Sequence, residues 1–346
     1  MVKNTQVIFK KVPTSYLPVA GEHITTQDTE FDLDTQLSNG QFIIKQLVLS
    51  VDSYMRGRMR DPSVKSYNSA FEIGKPLLCG TMSSVIKSNN PQFKVGDLVY
   101  SSGGKFEEYS LVDDDTADDY KIRNEPKETG LPPSYYLGLL GMPGLTAYVG
   151  LIKFGQPKKD ETLYVSAAAS CVGQLAGQLG KTFGMNVIGS AGSDEKVEFL
   201  KEFGFDNAFN YKTNDINTKL EEQAPKGIDV YYDNVGGKTL EAAINHLNHY
   251  SRIVGCGMIS QYADHPETPA NLIELIKRRV QFTGFVVTDH SDMEDEFRKD
   301  VTKWFLEGKL NYKESLADGI EKTPQALIDV LQGKNLGKQV VKVTDL

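Results

Sequence analysis

The chain has 346 residues, a formal net charge of −8 and a hydrophobic share of 40%, a composition typical of a globular protein of about two domains. The acidic balance disfavours a general nucleic-acid binder, because such proteins need a basic face to displace counterions. No uninterrupted apolar run of about 18 residues is present, and the N-terminus leads into no apolar signal-peptide core, so we expect no membrane span and no secretion. Cys79, Cys171 and Cys256 are far apart and odd in number, which favours a reducing compartment, with the cytoplasm as the expected location.

Short β-rich runs broken by Gly, Pro and Asn fill residues 1 to about 130 and predict a barrel or sandwich-like β domain. The acidic stretch 113–119 within it is interpreted as a solvent-facing loop or edge. From about residue 160, strands alternate with helices, which predicts an α/β fold with a doubly wound parallel sheet. The predicted strands are 162–166, 186–190, 208–210, 228–232, 252–256 and 280–285, and the predicted helices are 172–183, 194–203 and 240–246. A last strand at 338–343 joins either the first domain or the nucleotide sheet.

The segment after the first of these alternating strands has small residues at the positions of a GxGxxG loop, namely Ala168, Ser170 and Gly173. Small residues let the backbone turn tightly and approach a pyrophosphate at a helix N-terminus. Small residues at a strand–helix turn are also a common packing solution. In this alternating setting we interpret the segment as a dinucleotide-binding loop.

The end of the second alternating strand bears on the choice between NAD and NADP. Asp194 and Glu195 lie near the position where NAD sites carry an acid for the ribose 2′-hydroxyl. Ser193 is a candidate N-cap, which would place both acids in the first turn of a helix, where they suit the helix dipole. Lys196 follows, and a phenol and a cation end the next strand at 211–212, so the local chemistry favours NADP unless Lys196 is only a solvated helix lysine.

The chain carries these motifs in order: YMRGRM at 54–59, VGDLVY at 95–100, EEYSLV at 107–112, SYYLGLLGMPGLTAY at 134–148, VSAAASCVGQLAGQLGK at 165–181, GSAGSDEKVEFLK at 189–201, FNYK at 209–212, DVYYDNVGG at 229–237, VGCGMISQY at 254–262 and GKNLGK at 333–338. Together they resemble the zinc-independent branch of the medium-chain dehydrogenase/reductase superfamily. Within that branch, they are most similar to the leukotriene B4 dehydrogenase, prostaglandin reductase and alkenal double-bond reductase family. Ser170 stands where that family often has Gly.

The resemblance implies a Rossmann domain at residues 132–309 and a GroES-like β-barrel catalytic domain formed by residues 1–131 and 310–346. It also implies NADP(H), a homodimer, and reduction of a carbon–carbon double bond conjugated to a carbonyl. The cofactor positions that it implies are Cys171, Val172, Gly173 and Gln174 at the phosphate loop, Gly192, Lys196 and Tyr211 at the 2′-phosphate, Asn234, Cys256, Gly257, Met258, Ile259, Ser260, Phe285, Val286 and Val287 around the nicotinamide, and Asn335 from the tail.

We expect no metal site. None of the cysteines has the CxxC spacing of a structural zinc lobe, and no thiolate with a His-Glu pair suggests a catalytic zinc. His246 and His249 are three apart on a probable helix and could share a face, but without an acidic or thiol companion a structural or exposed role is favoured.

Without a metal, hydrogen-bond donors must polarise the substrate carbonyl while the cofactor delivers a hydride to the β-carbon. Tyr262 is the first candidate donor, because it ends the run that lines the nicotinamide, and Tyr54 is the second. The ribose 2′-hydroxyl is an alternative, and Tyr262 could also serve only in packing. Met55, Arg56 and Met59 are predicted to line the substrate pocket, although an internal salt bridge is an equal alternative for Arg56.

The leading hypothesis is an NADPH-dependent 2-alkenal/enone reductase with a small-molecule enal or enone as its partner, and neither nucleic acid nor membrane. An NADPH quinone reductase is a close alternative. A non-catalytic NADP(H)-binding sensor is an alternative of a different class, because folds of this kind can be reused. Oxidation of an alcohol or a prostaglandin hydroxyl is weaker, because the zinc ligands are missing.

Overall fold

The computed structural model describes residues 1–345. In chain order, its strands and helices are β1 (Val2–Phe9), β2 (Ile24–Phe31), β3 (Phe42–Ser50), α1 (Met55–Arg58), β4 (Leu78–Ser88), β5 (Leu98–Lys105), β6 (Tyr109–Val112), β7 (Tyr120–Ile122), α2 (Glu125–Thr129), α3 (Met142–Val149), β8 (Thr162–Val165), α4 (Cys171–Thr182), β9 (Asn186–Ala191), α5 (Asp194–Glu202), β10 (Asn207–Asn210), α6 (Ile216–Gln223), β11 (Ile228–Asp233), α7 (Gly237–His246), β12 (Leu247–Gly255), α8 (Ile273–Arg278), β13 (Gln281–Gly284), α9 (Glu294–Leu306), β14 (Glu314–Asp318), α10 (Thr323–Leu331) and β15 (Lys338–Lys342). A π-helical turn, Gly150–Gly155, continues α3.

The chain forms two compact units. Unit 1 comprises Met1–Gly138 and the C-terminal segment from Ser315, and unit 2 comprises Leu139–Glu314. The domain boundaries at 131–132 and 309–310 stay predictions. Among residues 1–345, no helix is both long enough and apolar enough to cross a lipid bilayer.

Unit 1 is built from antiparallel strands. Its larger sheet has the order β14-β15-β3-β4-β5-β7, with β6 also paired to β3, and β1 pairs with β2. Of the two alternatives for the last strand, the structure selects the first domain, because β15 pairs antiparallel with β3 from Val340 opposite Ser50. The core of this unit packs β1, β3, α1 and α10 around Phe9, Leu49 and Leu327, which are fully buried.

Unit 2 contains the predicted parallel sheet, with strand order β10-β9-β8-β11-β12-β13. Each neighbouring pair is parallel, which confirms the alternation of strands and helices expected from the sequence. The chain runs outward from β8 to β10 and then returns to start again at β11 beside β8. The carboxyl ends of β8 and β11 therefore form the topological switch point, where open α/β sheets bind ligands.

Several elements differ from the sequence expectations or were not among them. The segment 141–144 begins α3, with Pro143 in the first helical turn, where a missing N–H costs nothing. Helices α6, α8 and α9 were not predicted. The acidic stretch forms a 3₁₀ turn, Asp114–Asp119, that is exposed except at Ala117, as expected for a solvent-facing segment.

Candidate active site

The turn between β8 and α4 brings backbone close to any ligand at its tip. β8 is fully buried, and Ala167 just after it has a left-handed φ of 47°. A Cβ at Gly173 would lie 2.5 Å from the carbonyl oxygen of Ala167, so glycine is required where the helix crosses the turn. Ser170 is the N-cap, because its Oγ accepts a hydrogen bond from the Gly173 N–H at 3.0 Å. Ser170, which stands where the family often has Gly, therefore caps the N-terminus of α4.

Two glutamine side chains of α4 are bound to the chain itself. The Gln174 amide pairs with the backbone of Lys313, donating from Nε2 to the carbonyl at 3.2 Å and accepting from the N–H at 3.1 Å. Gln178 pairs in the same way with Asn311, at 2.9 and 2.6 Å. At the start of α4, a diphosphate would meet backbone N–H groups rather than these amides.

Cys171 and Val172 form the first turn of α4 with Gly173. The Cys171 side chain is buried, with its Sγ 3.9 Å from the hydroxyl of Tyr312. Val172 is half-buried. If these residues bind the cofactor, as the resemblance implies, their contribution is backbone hydrogen bonding.

A second polar corner lies at the carboxyl ends of β9 and β10. A Cβ at Gly192 would lie 3.1 Å from the Tyr211 hydroxyl oxygen and 3.2 Å from Lys212 Cε. Ser193 caps α5 by accepting the Lys196 N–H at 3.3 Å, which confirms the predicted N-cap. Burial, together with the charge of Lys212, lowers the pKa of the half-buried Lys196. Two ammonium groups and a phenol at one corner form a donor set suited to a phosphate.

Asp233, at the end of β11, fixes two loops at the switch point. Its Oδ1 accepts the N–H groups of Val235 at 2.9 Å and Gly236 at 2.8 Å. Its main-chain carbonyl accepts the N–H groups of Cys256 and Gly257, both at 3.0 Å. The side chain is fully buried, and burial raises the pKa of its carboxyl. One residue thus holds the loop after β11 and the loop after β12 in place.

Asn234 ties the end of β11 to the end of β8. Its Nδ2 donates to the Ser166 carbonyl at 2.8 Å, and its backbone N–H donates to Ser166 Oγ at 3.0 Å. Tyr231 reaches the same Ser166 Oγ with its hydroxyl at 3.1 Å. The predicted nicotinamide contact Asn234 therefore sits directly at the switch point.

The loop after β12 lies over the glycines of the β11 loop. A Cβ at Gly236 would lie 3.0 Å from Met258 Cβ, and one at Gly237 would lie 2.9 Å from Ser260 Oγ. The predicted nicotinamide wall is half-buried throughout and comprises Cys256, Gly257, Met258, Ile259 and Ser260. It ends in the 3₁₀ turn Ile259–Tyr262, on which Tyr262 is 36% exposed.

The other predicted wall segment follows β13. Phe285, Val286 and Val287 are half-buried. The ring of Phe285 packs against Phe154, at a centroid distance of 5.2 Å, and against His290, at 6.3 Å. Phe154 belongs to the π-helical turn, so this irregular helix supports the position of Phe285.

In unit 1, Tyr54 begins a chain of buried polar contacts. Its hydroxyl lies 3.0 Å from Cys79 Sγ, and burial raises the pKa of the phenol well above its ordinary value. Cys79 in turn lies 3.8 Å from Asp52 Oδ2, and Asp52 Oδ1 accepts from Lys338 Nζ at 2.9 Å. The hydroxyl of Tyr54 is therefore already engaged inside this unit.

The remaining pocket candidates take mostly structural positions. Met55 and Met59 are 0% and 1% exposed and belong to the hydrophobic core of unit 1. Arg56 donates from Nε to the Tyr16 carbonyl at 2.6 Å and from Nη2 to the Ser15 carbonyl at 2.8 Å. Two contacts of Arg56 inside its own unit are thus with backbone carbonyl groups. That these residues also line a substrate pocket stays a prediction.

Asn335 also lies in unit 1, between α10 and β15. Its Nδ2 donates to the Gly337 carbonyl at 2.7 Å, which shapes the turn before the last strand. Its contact with a cofactor stays a prediction.

Sequence reasoning missed two residues of this region, Asp233 and Ser166, which organise the switch point. The cation expected at 212 does lie at the corner of Gly192. The role of Asp233 could have been inferred from the sequence. In DNVGG, an aspartate stands two residues before Val235 and three before Gly236, which is a typical turn-forming pattern. The role of Ser166 could not, since its importance depends on which strand lies beside β8.

No group of three or more His, Cys, Asp or Glu side chains within residues 1–345 is arranged to hold a metal ion. The sequence interpretation of His246 and His249 on one helix is wrong. α7 ends at His246, and His249 lies on β12, so the two imidazoles do not share a helix face.

Comparison with known proteins places the chain in a family. The profile described as "N-terminal domain of oxidoreductase" matches residues 20–119, and the profile described as "Zinc-binding dehydrogenase" matches residues 171–306. The chain is 41% identical to (+)-pulegone reductase of Mentha piperita, with 99% of each chain covered. It is 42% identical to the NADP(+)-dependent 2-alkenal reductase of Nicotiana tabacum, covering 99% of this chain and 98% of the relative.

A solved structure agrees with these matches. CurA from Vibrio vulnificus in complex with NADPH superimposes with a TM-score of 0.88 at 35% identity, covering 99% of this chain and 100% of that chain. The fold is therefore a Rossmann-type α/β domain combined with a β-rich, GroES-like catalytic domain. By fold and by sequence, the chain belongs to the zinc-independent medium-chain dehydrogenase/reductases, in the group of alkenal and prostaglandin reductases.

Proposed function

We propose that the chain is an NADPH-dependent reductase that saturates the carbon–carbon double bond of α,β-unsaturated aldehydes and ketones. One observation carries the proposal. Over nearly its whole length the chain is 41% identical to a pulegone reductase and 42% identical to a 2-alkenal reductase. A 2-alkenal is an aldehyde whose double bond is conjugated to its carbonyl, so the substrate class follows from the chemistry of that relative.

The residues of unit 2 fit NADP(H). The glycine at 173 lets the backbone come close at the start of α4, and the N–H groups there suit a diphosphate. Lys196 and Tyr211 lie at the corner of Gly192, where a 2′-phosphate fits their donors. Bound NADPH would supply the hydride, and the chain positions and polarises the substrate.

Tyr262 is our choice for the group that polarises the substrate carbonyl. Negative charge develops on the carbonyl oxygen as the β-carbon is reduced, and a phenol hydroxyl stabilises that charge by donating a hydrogen bond. Tyr262 is 36% exposed on a 3₁₀ turn at the edge of the predicted nicotinamide wall. Tyr54 is the weaker candidate, because its hydroxyl is engaged with Cys79.

The experiment is an assay of reduced-nicotinamide absorbance with purified full-length protein and a panel of enals, enones and quinones. We expect NADPH to be oxidised with enals and enones, more slowly with NADH in its place, and the product to be the saturated carbonyl compound. Turnover with quinones alone would favour the quinone reductase. Binding of NADPH without turnover of any acceptor would contradict the enzymatic proposal and favour a sensor.

We also propose that the protein is a homodimer that associates along the edge strand β13. Supporting residues are Phe282 on this strand, 39% exposed, and Ile276 on α8, 73% exposed. An exposed apolar sheet edge is open to pairing with a second copy. Light scattering is expected to give twice the chain mass, and Phe282→Lys is expected to shift it toward the monomer. A monomeric wild-type protein would contradict this proposal.

We place the protein in the cytoplasm. The support is chemical, since Cys79, Cys171 and Cys256 are free thiols, which a reducing compartment preserves. Localisation of a fluorescent fusion would test this placement.

A further inference from the structure

We propose that Lys212 is a second cationic ligand of the coenzyme 2′-phosphate and that Asn210 is the positioning residue that makes this corner selective for NADP(H) over NAD(H). The inference rests on the proposed function, because it takes a nicotinamide dinucleotide as the ligand of unit 2. The sequence already indicates a cation at residue 212 near the 2′-phosphate, and the structure adds the contacts of Asn210, to which neither the motifs nor the family resemblance assigned a role.

Asn210 joins a cation to an acid through one buried amide. Its side chain is 6% exposed at the end of β10. Its Oδ1 accepts the backbone N–H of Lys212 at 3.0 Å, and its Nδ2 donates to Asp194 Oδ1 at 2.8 Å. Both polar ends of the amide are thus used, one to place the lysine and the other to hold the carboxylate.

Restraint of Asp194 matters because of where this residue stands. It is the first residue of α5, just after β9, where an acid would bind the 2′-hydroxyl of NAD. A carboxylate that faced a 2′-phosphate would repel it. Because it is hydrogen-bonded to Asn210, the Asp194 carboxylate is held at β10. Lys196 and Lys212 are then the charged groups that we expect to face the phosphate.

Lys212 has the position and the charge for the role. Its Cε lies 3.2 Å from where a Cβ at Gly192 would be, and the Tyr211 hydroxyl lies 3.1 Å from the same point. Across residues 1–345, the Lys212 ammonium has no carboxylate partner within ion-pair distance. Its charge also contributes to the lowered pKa of Lys196. Two neighbouring ammonium groups repel each other until an anion binds between them.

The first test compares NADPH and NADH affinity by quenching of protein fluorescence in the full-length protein. For Lys212→Gln we expect the Kd for NADPH to rise about tenfold, because a charge-assisted contact to the phosphate is lost, while the Kd for NADH changes less than about twofold. The control is Lys201→Gln on helix α5, where the lysine pairs with Glu198; it should change neither Kd. Equal weakening of both coenzymes by Lys212→Gln would overturn the role of Lys212.

The second test isolates Asn210. We expect Asn210→Ala to raise the Kd for NADPH several-fold, because the Asp194 carboxylate is released. The ratio of the Kd for NADH to the Kd for NADPH should therefore fall. Adding Asp194→Asn should restore most of the NADPH affinity in the double variant, since the released side chain is now neutral. A double variant that binds NADPH as weakly as Asn210→Ala alone would overturn the positioning role.

The proposed reductase function and the proposed 2′-phosphate corner can be contradicted independently of each other. Wild-type protein that binds NADPH with the expected response to Lys212→Gln but reduces no enal or enone would contradict the proposed function and leave the 2′-phosphate corner supported. If the wild-type protein reduces enals but Lys212→Gln binds NADPH normally, the role of Lys212 at the 2′-phosphate is overturned and the proposed function stays supported.

Discussion

The phosphate loop of unit 2 and the YMRGRM segment of unit 1 both match family motifs, yet the fold uses their side chains differently. In the phosphate loop, Ser170 and Gln174 bind the protein itself, and the backbone of the first helical turn is presented at the loop tip. In the other segment, Met55 and Met59 enter the core and Arg56 binds backbone carbonyls. A motif therefore locates a stretch of chain near a site, but only side-chain partners identify the atoms that can face a ligand.

Particular lysines of the two units differ in their surroundings. Unit 2 places the half-buried Lys196 and the exposed Lys212 beyond the carboxyl ends of β9 and β10, whereas unit 1 buries the ammonium of Lys338, 1% exposed, against Asp52. A buried ion pair pays for its desolvation with close geometry and additional hydrogen bonds. Lys338 also donates to the Val51 carbonyl at 2.8 Å, and Ser50 Oγ donates to Asp52 Oδ2 at 2.5 Å. We therefore expect Lys338 to serve stability in unit 1, and Lys196 and Lys212 to serve binding in unit 2.

The largest expected effect is on stability in unit 1. Lys338→Met should lower the free energy of unfolding by about 3 kcal/mol, because it leaves the Asp52 carboxylate without its buried partner. Urea unfolding followed by circular dichroism measures the change. Asp52→Asn added to this variant should recover part of the loss, since no charge is then left unpaired. A stability loss below about 1 kcal/mol for Lys338→Met would break the contrast between the units.

The next effect is on catalysis. We expect Tyr262→Phe to lower kcat for an enal about 100-fold, the scale of losing one positioned proton or hydrogen-bond donor, with little change in melting temperature. Tyr54→Phe should reduce kcat less and melting temperature more, because the Tyr54 hydroxyl contacts Cys79 in its own unit. The reverse ranking of kcat would move the polarising role to unit 1.

A smaller effect is expected at the phosphate loop. Gly173→Ala should cost about 1–3 kcal/mol, divided between stability and NADPH binding, because the new Cβ would lie 2.5 Å from the Ala167 carbonyl oxygen. Gly103→Ala on β5 is the control, because a Cβ there meets nothing within 4 Å. Calorimetry of unfolding and NADPH titration measure the two parts. Equal behaviour of the two variants would mean that the turn relaxes freely.

The sequence predicted the regular parts of this molecule well. Buried strands such as β8 and β11 carry continuous apolar runs, and α4 and α5 follow a serine that caps them, so these elements are visible locally. Polar helices were harder. α6 has one buried residue, Leu220, and α8 has none within residues 273–278, and both are shorter than the window of about 11–18 residues over which apolar periodicity identifies a helix.

The candidate site was predictable where a residue's role follows from its neighbours in sequence. Ser193 as a cap and Gly173 as a close-approach glycine are of this kind. The contacts of Asn210 with Asp194, and of Tyr54 with Cys79, join residues that lie on different elements. Their pairing depends on strand order and register, which no local pattern in one sequence specifies.

The smallest expected effect compares one thiol from each unit. Burial raises the pKa of Cys79 and of Cys256 to about 12. Only the thiolate attacks an electrophile, so at pH 7 both thiols should stay unmodified in excess 2-alkenal, and activity should not fall during the incubation. Because the folded pKa lies above that of an unfolded thiol, labelling should rise only as the pH approaches 12 or as the chain unfolds.

Mass spectrometry of peptides after alkylation measures this, with urea-unfolded protein as the control in which both thiols react. The two units give the same expectation for the same main reason, burial of the thiol, and a different carboxylate adds to it in each unit. Asp52 adds to the raised pKa of Cys79 in unit 1, and Asp233 adds to that of Cys256 in unit 2. Rapid alkylation of Cys256 alone at pH 7 would contradict the raised pKa of this half-buried thiol and would place its sulfur in the open substrate region. Such a result would also separate the two units, since Cys79 would still be protected in the core of unit 1.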